Sequence, residues 1–213
     1  MSETAAEERP SGGGKKQMKA EAMKRRICSA VVACLDECGY AETSINRIQE
    51  RAGVSRGALT HHFPTKQALV AETCMRMLHA AMRPMYALKD EGEASPVPAD
   101  ELLIGSWNNI VNTPEGRAFV EILVACRTDR ELYDVLCEDL LAWDAESAAA
   151  VSALYRGSGA DEDDAALLWS MCRTFFRGLL MHERFVSDPA YLGRMTERFA
   201  GIMNAHLLVR DQT

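Results

Sequence analysis

The residues of this 213-residue chain whose types and spacing suit chemistry on a partner crowd into 43–66, TSINRIQERAGVSRGALTHHFPTK. Arg56, Thr60 and His61 can donate or accept hydrogen bonds from one short segment. Gly57 and Ala58 between them are small enough to let a backbone come close to a large surface. Lys66 opens the next segment, where its charge and the free N–H groups of a helix start can meet a phosphate together. Those are the means of gripping a polyanion and reading polar edges. Nucleophile–base spacing, metal-ligand patterns and phosphate-binding loops are all missing from the chain, so an enzyme working through His79, His182 or His206 is a weak alternative.

The elements that must hold these side chains follow from local rules. Thr43 or Ser44 can cap a helix in which Ile45, Ile48 and Ala52 form one apolar side. Gly53 ends it with a left-handed residue, and Val54 plugs the corner. Ser55 caps a second helix over 56–62, which Pro64 stops after pushing Phe63 into extended backbone. Thr65 caps a long third helix from Lys66. Helix, Gly-containing turn, helix is the helix-turn-helix pattern, and its second helix is the one that enters a major groove. Upstream, Ile27, Ala30, Val31, Cys34, Leu35 and Cys38 repeat at three and four, predicting a supporting helix over 17–38 that Gly39 ends. Lys24 and Arg25 on its outer face can meet phosphates or be merely solvated.

From Arg26 to Leu69 the chain resembles the DNA-binding domain of the TetR/AcrR regulators. The resemblance rests on Ile27, Ala30, Gly39, Tyr40, Thr43, Ser44, Ile45, Ile48, Ala52, Gly53, Val54, Ser55, Gly57, Ala58, Leu59, His62, Phe63, Lys66 and Leu69. Two positions depart from it: Thr60 stands where the family usually has a phosphate-contacting Tyr, and Gln49 where it usually has Ala. The resemblance implies an all-α fold, with a helix-turn-helix DNA-binding domain over 17–66 and an effector-binding and dimerisation domain over 67–213. It also implies a cytoplasmic homodimer that binds a double-stranded, pseudo-palindromic operator, most often as a repressor and sometimes as an activator. The DNA-contacting set is then Thr43, Ser44, Arg47, Ser55, Arg56, Gly57, Thr60, His61, His62 and Lys66. Within it, Arg56 is assigned to a base edge, and Thr43, Ser44, Ser55 and Lys66 to the phosphate backbone.

Composition bounds the rest. The chain is 47% apolar and 26% charged, as in an ordinary globular protein. It lacks the run of about 18 apolar residues that marks a membrane span. Its net charge of −7 opposes DNA binding until it is divided along the chain. Lys15 to Lys66 carries ten Lys/Arg against five Asp/Glu, a net +5; from Gln67 onward thirteen stand against twenty-three, a net −10. A basic head on an acidic body concentrates the attraction to phosphate at one end. The seven cysteines form no C-x-x-C pair and sit among apolar residues, as buried thiols do. No cofactor or metal is called for. Residues 1–16 read as a disordered polar arm; their SGGGKK lacks the first Gly and the final Ser or Thr of a phosphate loop.

Beyond the head the chain reads as helical throughout, with no strand. A helix over 65–88 is expected to kink or end at Pro84, followed by a loop over 89–99 and helices near 100–112, 115–127, 129–155, 162–186 and 189–208. The acidic run Asp161 to Asp164 suits a helix N-terminus. Met77, Met82, Met85, Tyr86, Leu103, Trp107, Ile110, Phe119, Ile122, Cys126, Leu136 and Trp143 can fill a core. Taken with the resemblance, they become the lining of a cavity for a small apolar or aromatic effector. The last two helices are apolar on more than one face. With the resemblance, Trp169, Phe175, Phe176, Leu179, Phe199 and Met203 become the dimer interface, a four-helix contact with Gly178 allowing close approach.

Overall fold

The structure is a computed structural model that describes residues 12–91 and 96–210. Its order is α1 (Gly12–Glu42), α2 (Ile45–Ala52), α3 (Arg56–His62), α4 (Lys66–Glu91), α5 (Ala99–Ser106), α6 (Pro114–Ala125), α7 (Arg130–Leu154), β1 (Tyr155–Gly157), α8 (Asp164–His182), α9 (Pro189–Asn204) and β2 (Leu207–Val209). A π-turn over Trp107–Val111 links α5 to α6, and a 3-10 turn over Glu183–Phe185 follows α8.

The head is a three-helix unit around one apolar knot. Ile27, Val31 and Leu35 of α1 meet Ile48 of α2, Leu59 of α3 and Leu69 of α4, and all six are fully buried. Each such side chain contributes roughly 1.5–3 kcal/mol relative to exposure. Ser44 caps α2 by accepting from Arg47 N at 3.2 Å, and Ser55 caps α3 by accepting from Ala58 N at 3.2 Å. Gly53 takes the left-handed conformation (φ 60°, ψ 39°) that separates the two. Arg26, which the sequence did not single out, donates to the Gly53 carbonyl at 2.9 Å and ties α1 to this turn. Arg51 pairs with Glu37 across the same joint, at 2.7 Å for Nη1–Oε1.

In the body, α4 and α7 pack side by side, α6 lies along α1, and α5 lies along α9. Several expectations are corrected. Pro84 does not end α4, which continues to Glu91 and takes in the start of the expected loop. Residues 12–16 already belong to α1, so the polar arm can only be shorter; its first eleven residues, and 92–95 of the loop, lie outside the described residues. The helix expected over 100–112 stops at Ser106 and widens into the π-turn. The strandless reading misses one small sheet, in which Tyr155 pairs antiparallel with Val209 and Gly157 with Leu207. Three residues per strand are too few for alternation to register in sequence. Tyr155 is fully buried there and donates to the Val97 carbonyl at 2.7 Å.

Gly39 interrupts α1 at φ 71°, ψ 174°, a region essentially restricted to glycine. An added Cβ would also meet Glu121 Oε2 of α6 at 2.9 Å. Gly39→Ala should therefore lower stability by about 1–3 kcal/mol. Gly53→Ala, where a Cβ meets open space, should cost about 1–2 kcal/mol from backbone strain alone. Urea unfolding measures both; midpoints unchanged in both variants would contradict this account of the two bends.

Candidate nucleic-acid interface and internal cavity

The outer surface of the head carries most of the expected set. Ser44, Arg47, Ser55, Arg56, Gly57, Thr60 and His61 are exposed and His62 is partly buried, its ring edge-on to that of His61 at 5.2 Å. The exposed members of α3 thus present a guanidinium, a bare backbone and an imidazole on one short helix. The Thr60 hydroxyl is turned back onto its own helix, donating to the Arg56 carbonyl at 3.0 Å. Short β-branched side chains do this readily.

Two members have other work. Thr43 is buried, and its hydroxyl donates to the Gly39 carbonyl at 2.7 Å, bracing the bend in α1 instead of facing solvent. Lys66 reaches back twenty-six residues: its Nζ donates to the Tyr40 carbonyl at 2.7 Å and sits 3.8 Å from the centre of the Tyr40 ring. Burial pushes the Lys66 ammonium below its ordinary value, with Asp129 acting against it. What α4 offers a phosphate is its N-terminus, where Thr65 caps the Ala68 N–H at 3.0 Å.

Tyr40 also ties the head to the body. Its hydroxyl donates to Asp129 Oδ2, just before α7, at 2.6 Å. Burial, and then that bond, push the Tyr40 phenol well above its ordinary value, and the same bond holds the Asp129 carboxyl below its own. Asp129 in turn caps α7 by accepting from Leu132 N at 2.9 Å. Nearby, Arg117 of α6 holds Asp36 of α1 through two nitrogens, at 2.6 and 3.2 Å. Sequence periodicity could not find these pairs, since their partners stand eighty or more residues apart.

Inside the body, α4, α5, the π-turn, α6, α7 and α8 line a partly open cavity of about 180 Å³. Six of the twelve expected lining residues are on its wall: Met77, Met82, Met85, Ile110, Phe119 and Trp143. Leu103, Trp107, Ile122 and Leu136 are buried core outside the wall, Cys126 is partly buried outside it, and the Tyr86 side chain lies outside the described residues. A 3.6-residue period marks a buried face without saying whether atoms or a void lie opposite. The sequence reading also missed Arg173 and Arg177 of α8, which both reach the wall beside Trp169 and Phe176. Burial raises the thiols of Cys28, Cys34, Cys74, Cys126 and Cys172, which keeps them protonated and inert.

Residues 27–73 match the model of the bacterial regulatory proteins of the tetR family. An uncharacterized HTH-type transcriptional regulator of Mycobacterium tuberculosis is 26% identical over 177 residues, 81% of this chain and 88% of that protein. RutR of Escherichia coli K12, an HTH-type transcriptional regulator, is 31% identical over 78 residues, 37% of either chain. The chain carries a TetR-family DNA-binding domain. It is accordingly a DNA-binding transcriptional regulator and not an enzyme. The all-α TetR fold extends over the body as well. A transcriptional regulator of Saccharomonospora viridis, solved in complex with choline, superposes with a TM-score of 0.63 at 17% identity over 89% of this chain and 100% of that one. One from Rhodococcus gives 0.61 at 18% identity over 86% and 97%.

The remaining expectation concerns α8 and α9. Trp169, Phe176, Leu179 and Met203 are buried in the chain's own core, while Phe175 and Phe199 are half-buried and stacked on each other at 3.9 Å. The apolar residues these helices leave outside are Leu167, Met171, Met181, Tyr191 and Ile202, with Phe185 just beyond α8. Among the described residues no helix is long and apolar enough to cross a membrane.

The geometry of Lys66 generates a test. A lysine that contacts phosphate adds about one unit to the salt dependence of DNA affinity per protomer. Lys66→Met, which keeps the stem and removes the charge, should weaken binding through the loosened Tyr40 joint yet leave the salt slope as in wild type. A slope reduced by one unit would return Lys66 to the phosphate set.

Proposed function

We propose that the protein is a homodimeric repressor that leaves a pseudo-palindromic operator when a small molecule fills the cavity. The single observation that carries the reading is that α6 serves two partners. Glu115, Gly116, Phe119 and Val120 line the cavity, while Arg117 grips Asp36 of α1 and Glu121 abuts Gly39. A ligand that favours one position of α6 thereby favours one position of α1, and with it one pose of the head. Such coupling needs differential affinity for the two poses, about 1–3 kcal/mol in typical cases. The choline bound in the Saccharomonospora viridis neighbour supports small-molecule control in a body of this shape.

At the DNA, Arg56 near the start of α3 reaches a guanine edge. Ser44, Ser55 and the helix N-termini they cap hold phosphates, joined by Arg47. Gly57 permits close approach, His61 faces either base or backbone, and His62 and Thr60 complete the surface. Thr43 and Lys66 position the head, as their internal bonds favour. The natural unit boundaries are 17–66 for the head and 67–213 for the body, with α4 shared between them.

The dimer face in this reading is the outer side of α8. Leu167, Met171, Thr174, Gly178, Met181 and Phe185 follow one another at steps of three and four, and four of the six are exposed apolar side chains. Tyr191 and Ile202 continue the patch from α9. An apolar surface of this breadth suits a two-fold contact with a second copy.

Selection of bound duplexes from a random pool tests the reading as a whole. Inverted half-sites support the dimer, and an unordered pool of sequences would overturn it. Arg56→Ala should relax preference at one base position per half-site, at a cost of about 1–3 kcal/mol there. Equal weakening of every duplex would make Arg56 a phosphate contact. Met171→Asp should give folded monomers in sedimentation, because the buried charge at the contact is unpaired. Phe176→Asp should instead unfold the body, and a wild-type monomer at micromolar concentration would remove the dimer altogether.

A further inference from the structure

The cavity has an apolar wall with a surplus of hydrogen-bond donors. The indole nitrogens of Trp143 and Trp169 and the Nε of Arg173 are buried without a protein partner. The two indoles belong to side chains that are more than nine-tenths buried, at 8% and 7% exposure, and all three residues line the cavity. The rest of the Arg173 guanidinium is engaged: it pairs with Asp144 at 2.7 Å and donates to Ser147 and Ser170 at 3.1 Å each. Arg177, one turn further along α8, has no such carboxylate among the described residues. Its guanidinium lies 5.3 Å from the centre of the Phe119 ring, across the cavity wall. Burial first, and Arg173 beside it second, hold Arg177 below its ordinary value. The carboxylate among the lining residues is that of Glu115, which is exposed at the start of α6.

Arg173 is offset by Asp144, whose own side chain is exposed, and Arg177 adds a second guanidinium to the wall without a paired carboxylate among the described residues. Buried within the same wall are the two indole donors and the Arg173 Nε, which lack acceptors. A cationic ligand would meet repulsion from Arg173 and Arg177, and a neutral hydrocarbon would leave the donors unpaired. An anion answers both, because a planar carboxylate can accept from a guanidinium fork and from indole N–H groups at once. Size sets the other limit. A dry apolar cavity of about 150 Å³ accommodates benzene, so the 180 Å³ here suits one ring or a short chain plus its carboxylate.

We propose that the effector is a small monocarboxylate, with an apolar body about one aromatic ring in size lying against Met82, Phe119 and Phe176 and a carboxylate held by Arg177 and the indole N–H groups of Trp143 and Trp169. This rests on the effector reading of the cavity given above, and it narrows the expected apolar molecule to an amphipathic anion.

The test uses the full-length protein and three matched sets of probes: benzoate and phenylacetate, the neutral benzamide and benzyl alcohol, and the cation benzyltrimethylammonium. Binding is read by calorimetry and by quenching of tryptophan emission, and operator affinity is titrated with and without each probe. At least one carboxylate should bind tenfold or more tightly than its neutral match, and the cation should bind more weakly still. Arg177→Met, checked for native helicity by circular dichroism, should erase the preference for the carboxylate while retaining the neutral probes. Equal or tighter binding of the neutral or cationic probes overturns the proposal, as does failure of every carboxylate to bind at millimolar concentration. Operator affinity separates the two layers. A carboxylate that binds through Arg177 without changing operator affinity supports the anion site and removes the effector reading. A neutral or cationic probe that releases the operator does the reverse.

Discussion

Beside the shared helix α4, the head is held to the body at the junction of α1 with α6 and α7. Its parts are few. Gly39 breaks α1 at an angle only glycine adopts without strain, and Glu121 fills the space a side chain would take. Tyr40 then turns its hydroxyl onto Asp129 and its ring and carbonyl toward Lys66. Arg117 fixes Asp36 one turn earlier. The charged contacts are partly solvated, so their worth as isolated pairs is small. Their value lies in direction, because a bidentate arginine and a half-buried phenol each have one good geometry. In the proposed reading they make the end of α1 follow α6, and the head follows α1 because Arg26 and the apolar knot bind α1 to the helix-turn-helix.

That arrangement accounts for the sharp division of charge along the sequence. The head must attract a polyanion and therefore carries the basic excess; the body must not, and is acidic. Yet the body keeps Arg173 and Arg177 in its interior, where desolvation makes cations costly. A body built only to hold up a head would fill that space with leucine. In the proposed reading, the arginines and the unpaired indole donors mark the space as one that a ligand completes.

The head was legible in sequence because each of its residues answers to a local rule. Ser44 and Ser55 cap, Gly53 turns left-handed, Pro64 stops a helix, and apolar residues fall at three and four; the structure reproduces each of these. What escaped was tertiary. Lys66 is a surface lysine by every local rule, and only the fold brings Tyr40 beneath it. Thr43 and Ser44 are equivalent caps on paper, but one step of helix phase buries the first. In α8, Phe176 and Met171 are both apolar at helical spacing, and nothing in that spacing says which one meets the chain's own core. Only half of the expected lining residues fall on the cavity wall for the same reason. The two arginines that give it a chemical character looked like ordinary polar positions of an amphipathic helix.

The central claim is that the state of the DNA-binding surface and the state of α6 are linked through the Gly39–Tyr40 junction. Linkage is reciprocal, so operator binding must be felt at α6 even when the cavity holds nothing. Amide hydrogen exchange on the free and the operator-bound protein reads this directly, residue by residue and without knowledge of the effector. The account predicts slowed exchange over residues 44–66, where the DNA sits, together with altered exchange in Pro114–Ala125 and around Asp129. Protection confined to the head, with α6 and the start of α7 unchanged, would contradict it.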